Sequence, residues 1–304
     1  MNESVIGIDV GGTNIRVGLV ENGLSLTRKE TALTTEYKKP AEFFEEIFSM
    51  IKKIDPDHTA KKIGIGLPVP WPDEADQIVD ATNIPWLEEV SVDTLRSYFS
   101  GYQVFIDNDV NVVALLEAHY GAAKGCRNAM YITVSTGVGS GIIIDNKILR
   151  GSHGYAGEIG SMIVSSLKKN HPSLYDGSLE SLCSGLALEE ESKRVYGEAA
   201  TASLLFEQYQ KNDKEAKKVI DLWIEHFSNA IASLMQTIDP DIFVLGGAVI
   251  HHNPWLIEKV AEGTRKKVFK NLRDKINIVI NQYSSEAGVI GAGYLAIHQS
   301  EGEI

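Results

Sequence analysis

Cysteine is scarce: Cys126 and Cys183 are the only two in 304 residues. Two isolated thiols fit no metal-ligand spacing and no disulfide framework, and such usage suits a reducing cytosol. Basic charge is also short. Lysine and arginine number 29 against 41 acidic residues, a formal net charge of −12. That sign repels polyanions and disfavours a nucleic-acid partner, while local backbone dipoles can still hold a small anion. Long apolar runs are missing. No stretch reaches the roughly 20 residues of a membrane span. Glu3 and Asp9 fall in the first apolar run, which spoils a signal peptide. What remains is 43% hydrophobic and 23% charged, an ordinary globular composition on a chain long enough for two domains.

What the chain does have is glycine in two matching places. VIGIDVGGTNIRVGLV covers residues 5–20, and YITVSTGVGSGIII covers residues 131–144. Each reads as an apolar strand, a hydroxyl or acid, a glycine-rich turn and a second apolar strand. Such a hairpin presents backbone N–H groups to an anion with no side chain in the way. In the first, Gly11 and Gly12 permit the turn, Thr13 and Asn14 add donors, and Asp9 is placed to hold a hydrated magnesium ion. In the second, Ser135, Thr136 and Gly137 form the matching cup. Taken singly, each is equally an ordinary hairpin turn. Two copies, each opening half of the chain, point to one polyphosphate gripped from both sides. Neither is a Walker loop, because no glycine run ends in Lys-Ser or Lys-Thr. GVGSG does not lead into a helix, which argues against a dinucleotide fingerprint.

The rest alternates helix and strand patterns. ENGLSLTRKET reads as a turn and strand. AEFFEEIFSMIKKI places Phe43, Phe44, Ile47, Ile51 and Ile54 at helical spacing. KKIGIGLPVP is a short strand and loop, GYQVFIDNDV a strand with a polar exit, and NVVALLEAHYGAA a helix. AKKVIDLWIEHFSNAIASLMQTID is a long helix stopped by Asp239-Pro240. DIFVLGGAVI is a buried strand ending in Gly246-Gly247, INIVINQ another strand, and EAGVIGAGYLAI a closing helix. The chain is an α/β protein with an internal duplication.

The paired hairpins resemble those of the actin, hexokinase and heat-shock ATPase superfamily. More closely, the chain resembles the ROK family of bacterial sugar kinases and related repressors. IGIDVGGTNIRVGLV, ATNIPW, IDNDVN, TVSTGVGSGII, GEIG, GSLESLCSG and DIFVLGGAVI follow the family's order over nearly the whole chain. The resemblance implies a two-lobed actin-like ATPase (ribonuclease H-like) fold with a deep cleft and ATP, with Mg2+, between the hairpins. It implies an N-terminal lobe of residues 1–118 plus 289–304 and a C-terminal lobe of residues 119–288. Gly246 and Gly247 would lie along the nucleotide, although a strand-to-helix turn alone would also explain them. The implied activity is ATP-dependent phosphorylation of a hexose or hexose derivative at its 6-hydroxyl, in the cytoplasm, by a homodimer.

Phosphoryl transfer to a hydroxyl needs a proton acceptor. Asp109, at the exit of a strand, matches the family's catalytic aspartate; its residue-level alternative is an N-cap on the following helix. Asp107 is the rival carboxylate, on the same face of an extended strand. Asn83, Asn108, Glu158 and Glu180 match the family's sugar contacts, and a carboxylate suits that work by accepting from two hydroxyls. Without the resemblance, Asn83 is a loop turn residue and the two glutamates are solvated surface charges.

The departures are as informative. The family commonly carries a zinc module, a histidine after GEIG followed by a cysteine cluster. Here those positions hold Ser161, Ser178, Ser173 and His171, and Cys183 lies out of register. A tetrahedral structural zinc needs four ligands, so no structural zinc is expected. The loop is then expected to be held by packing of Leu167, Leu174, Tyr175 and Leu179. Val69 stands where the family usually has glycine beside the sugar, and with Trp71 and Trp86 it is expected to crowd one face of the pocket. A repressor of this family would carry a DNA-binding domain ahead of the first hairpin; the hairpin begins at about Val5, so none is expected. A kinase is therefore favoured over a sugar sensor or a degenerate sugar-binding module.

Overall fold

The computed structural model describes residues 4–21, 23–169 and 174–300. In chain order, β1 (Val5–Val10), β2 (Asn14–Glu21) and β3 (Ser25–Leu33) precede α1 (Pro40–Ile54), β4 (Lys62–Leu67), α2 (Val92–Tyr98), β5 (Gln103–Asn108) and α3 (Asp109–His119). There follow β6 (Ala129–Val134), β7 (Val138–Ile144), β8 (Lys147–Ile148), α4 (Leu179–Cys183), α5 (Gly185–Tyr196), α6 (Ala202–Gln210) and α7 (Lys214–Thr237). The chain continues with β9 (Ile242–Gly246), α8 (Ala248–His252), α9 (Leu256–Arg265), β10 (Ile278–Ile280) and α10 (Ala287–Ser300).

The strands form two five-stranded sheets ordered β3-β2-β1-β4-β5 and β8-β7-β6-β9-β10. Both orders are the same when each set is numbered from its own first strand, so the duplication expected from the glycine hairpins extends to the whole sheet. In the first sheet β1 pairs antiparallel with β2 and parallel with β4, which pairs parallel with β5. In the second, β6 pairs parallel with β9, and β9 with β10. Parallel strands covered on both faces read as continuous apolar runs, as IFVLG of β9 does, buried along its length.

The chain divides into two compact units, residues 1–120 with 141–156 and 283–304, and residues 121–140 with 157–282. In the first, α1 starts with Pro40 and ends on Lys52 and Lys53, which suit a helix C-terminus. Its apolar face buries Phe43, Phe44, Ile47, Met50, Ile51 and Ile54. The closing helix α10 lies directly on the sheet. A Cβ on Gly64 of β4 would stand 1.7 Å from the Ala292 carbonyl, and one on Gly7 of β1 would stand 2.0 Å from that of Val289. Both strand positions are glycine because helix backbone occupies that space. In the second unit, Asp213 caps α7 by accepting from the amides of Glu215 and Ala216, and α7 buries Trp223, Phe227, Ile231 and Met235.

Candidate active site

The register of the first sheet sets out the first unit's polar residues. Asp9 of β1 is opposite Gly66 of β4, which is opposite Asp107 of β5. These positions lie toward the carboxyl ends of parallel strands, where open α/β sheets bind ligands. Asp109 opens α3 directly beyond. A Cβ on Gly66 would come 3.2 Å from the Asp109 Cα, so glycine there lets strand and helix start approach closely.

The three polar residues at this turn divide the work. Asn108, not Asp109, is the N-cap: its Oδ1 accepts from the amides of Val110 and Asn111 at 2.9 and 3.0 Å. Its Nδ2 donates to the Val69 carbonyl at 3.1 Å. With both oxygen lone pairs used, one N–H of Asn108 is left for a ligand. Asp107 is fully buried. Its Oδ1 accepts from the Asn108 amide and from Asn111 Nδ2, and its Oδ2 from Arg150 Nε and Nη2 at 3.1 and 2.5 Å. Burial pushes the Asp107 carboxyl above the ordinary carboxylate range, against the pull of Arg150 and the amide donors. Asp107 is therefore the structural carboxylate. Asp109 is half-buried and accepts from the Val110 amide at 2.9 Å.

The first hairpin sits in the same unit. The Gly11 amide closes the turn by donating to the Asn14 carbonyl at 2.9 Å. Buried Thr34 braces it, its hydroxyl donating to the Gly11 carbonyl at 2.7 Å and its amide to that of Thr13 at 2.9 Å. The amides of Gly12 and Thr13 make no hydrogen bond among the described residues. Asn83 lies against this turn, its Cβ 3.0 Å from where a Cβ on Gly12 would be. Asp9 is paired with Arg16 at 2.9 Å, and its carboxyl is pushed up by burial more than Arg16 lowers it. Arg16 engages Oδ2, which leaves Oδ1 as the oxygen able to reach a hydrated ion.

The second unit repeats the device. The Ser135 amide donates to the Gly137 carbonyl at 3.0 Å, closing the turn, and the amides of Thr136 and Gly137 have no partner among the described residues. The GEIG segment is packed on β7: a Cβ on Gly157, at φ +99°, would stand 2.4 Å from the Ser140 carbonyl. Exposed Glu158 follows it. Glu180, in α4, accepts from the Val138 amide at 2.8 Å. Thus Glu180 stands against the second hairpin and the GEIG segment in this unit, while in the other Asn83 stands against the first hairpin and Asn108 and Asp109 follow β5 in the same sheet as β1. Gly246 and Gly247 are required by the chain itself. A Cβ on Gly246 would meet the Tyr131 hydroxyl at 2.6 Å, and Gly247, at φ +87°, would meet the Val134 carbonyl at 2.3 Å.

One reading of the sequence changes. Val69 and Trp71 are buried in the first unit's apolar core, and Trp86 packs edge-on against Phe43 at 4.9 Å. Core burial leaves the Val69 and Trp71 side chains unavailable for crowding a ligand; Val69 contributes its carbonyl, to Asn108. The residue that sequence reading missed is Arg150. Its signal was indirect: Asp107 inside the apolar run VFID demands a cation, but the partner lies 43 positions along the chain.

The ROK family's sequence model matches residues 5–299. The chain belongs to the ROK family. It is 30% identical to a glucokinase of Halalkalibacterium halodurans over 97% of this chain and 95% of that one. In structure it is similar to a ROK hexokinase from Thermus thermophilus, with a TM-score of 0.85 and 28% identity over 98% of this chain and 99% of that one. It is also similar to a ROK glucokinase from Streptomyces griseus in complex with glucose and AMPPNP, with a TM-score of 0.82 and 25% identity over 97% and 99% of the two chains. The two-sheet architecture is accordingly the actin-like ATPase fold.

In this ROK chain the described part of the zinc-position loop is tied by main-chain bonds. His171 and Ser173 lie outside the described residues; Ser161 is exposed, and Ser178 caps α4 by accepting from the Ser181 amide. The expected packing is corrected, since Leu167 and Tyr175 are 43% and 70% exposed and only Leu179 is buried. Main-chain bonds replace it: Val164 N–H to the Gly177 carbonyl and Leu179 N–H to that of Met162, at 2.9 and 2.8 Å. Lys169 adds an ion pair to Glu191 at 3.1 Å. A ladder of this kind is indifferent to chelators. Untreated protein is expected to contain far less than one zinc per chain and to keep its unfolding midpoint in chelator; stoichiometric zinc whose removal lowers the midpoint would overturn this.

Proposed function

We propose that this ROK chain is an ATP-dependent sugar kinase that phosphorylates a hexose or hexose derivative, at the 6-hydroxyl, with Asp109 as general base. The observation that carries the reading is the repeated hairpin tip. Each copy spends one amide on closing its own turn and leaves two consecutive amides beside a glycine for an anion, Gly12 and Thr13 in one, Thr136 and Gly137 in the other. Its kinase relatives add weight, among them the glucokinase solved with AMPPNP.

In this reading the two tips, with Asn14 beside the first, orient the phosphates of ATP, and the strand end carrying Gly246 and Gly247 lies along the nucleoside. Asn83, the remaining N–H of Asn108, Glu158 and Glu180 orient the sugar. Asp109 takes the proton from the attacking hydroxyl as the bond to phosphorus forms. Magnesium entering with ATP would screen the phosphate charge, and Asp9 fits an outer contact to it through Oδ1.

The test is a screen of purified protein with ATP, magnesium and a panel of hexoses and N-acetylhexosamines, following ADP release. ADP formation dependent on at least one sugar is expected. Sugar binding by calorimetry without turnover on any member would replace the kinase with a sensor.

A further inference from the structure

We infer that Glu180 is a positioning residue for the second glycine hairpin: its carboxylate takes the Val138 amide out of the tip, and this hydrogen bond shapes the nucleotide-binding backbone. The inference deepens the kinase reading and rests on it for the hairpin's ligand.

The geometry comes from three sides. The Glu180 Oε2 is 2.8 Å from the Val138 nitrogen, at the first residue of β7. The same oxygen stands 2.6 Å from where a Cβ on Gly137 would be and 3.1 Å from one on Gly160. At Gly137 the carboxylate is the nearest atom to that space, while at Gly160 the Val138 carbonyl, at 2.5 Å, stands closer still. The junction between α4 and α5 grips the tip as well, with Gly185 N–H donating to the Ser135 carbonyl at 2.7 Å and Leu186 N–H to that of Thr136 at 3.3 Å. Ser178 and Ser184 fix the junction by capping the two helices.

A carboxylate beneath a phosphate-binding loop needs a reason, because its charge repels the ligand. The hydrogen bond supplies one. Val138 is 5% exposed, so water cannot easily satisfy its N–H. An anionic acceptor makes a stronger bond to that N–H than a neutral one. With Val138 held inward, Thr136 and Gly137 are the amides left at the tip. Without it, a nearly buried N–H must find another acceptor, and the tip must move.

The experiment compares the parent with Glu180→Gln and Glu180→Ala. Glutamine can accept the same N–H through its amide oxygen; alanine cannot. Nucleotide affinity is measured by calorimetry with no sugar present, since Glu180 is also proposed to face the sugar and turnover would mix the two roles. Exchange of the Val138 amide is followed in parallel. The expected result is an affinity for ATP about 10-fold or more weaker in Glu180→Ala, with faster Val138 exchange, and both restored to near the parent in Glu180→Gln. Parental affinity in Glu180→Ala overturns the inference, whatever the exchange shows. So does equal weakening in both variants, which would assign the effect to charge. If the parent binds no nucleotide, the kinase reading fails, and Val138 exchange alone decides: faster in alanine and restored in glutamine supports the positioning role, and any other pattern overturns it.

Discussion

Asp109→Asn is expected to lower turnover by about 10²–10⁴-fold on whichever sugar the screen identifies, the usual cost of losing a general base. The fold should barely register the change. The N-cap is Asn108, so the helix keeps its cap when position 109 is altered. The bond from the Val110 amide to Asp109 Oδ1 can pass to an asparagine oxygen. The negative charge lost from the first turn is worth about 0.3–1 kcal/mol at a helix N-terminus. Steady-state kinetics and thermal unfolding on the same preparation check both halves. Turnover near the parent's would refute the base assignment. A large loss of stability would show that position 109 acts through the fold.

Arg150→Ala should act the other way, chiefly on stability. The Arg150 and Asp107 side chains are 11% and 0% exposed, and Arg150 is the only cation on Asp107 among the described residues. Removing one partner of such a pair typically costs about 3–5 kcal/mol, because the other charge is left buried and uncompensated. The pH dependence has a definite sign. Burial already raises the Asp107 carboxyl, and losing Arg150 raises it further. A carboxyl raised in the folded state is penalised at neutral pH, and the penalty vanishes once the pH falls below its unfolded value, where both states are protonated. The deficit of Arg150→Ala should therefore shrink on acidification. Combining Arg150→Met with Asp107→Asn should recover most of it, since no unpaired charge remains. Denaturant unfolding at two pH values compares the parent with both variants; an equal deficit of Arg150→Ala at the two pH values would refute the account.

The hairpins and sheets were legible because their signals are local. Glycine turns between β-branched runs announce themselves, and α1 carries an uninterrupted helical spacing. By contrast α3 is buried at every position from Asn111 to Ala118, so no stripe marks its faces, and its start had to be inferred from polar residues. There sequence reading stalled on three adjacent polar residues, each suited to cap, base or sugar contact. Only the acceptors and donors around Asn108 and Asp107 distinguish them. Arg150 and the bond between Glu180 and Val138 depend on partners far along the chain. The backbone ladder at the zinc position was hidden too, because main-chain pairing there depends on no particular side chain.

The glycine contacts between α10 and the first sheet bear on how the protein is made. The backbones of β1 and β4 meet a helix that is synthesised only after every strand of the second sheet. Until then Ile6, Ile8, Ile63 and Ile65 belong to a half-covered sheet, and contacts of such long sequence separation form slowly. The first unit therefore completes its packing only once α10 has docked, and its refolding should be timed by that step.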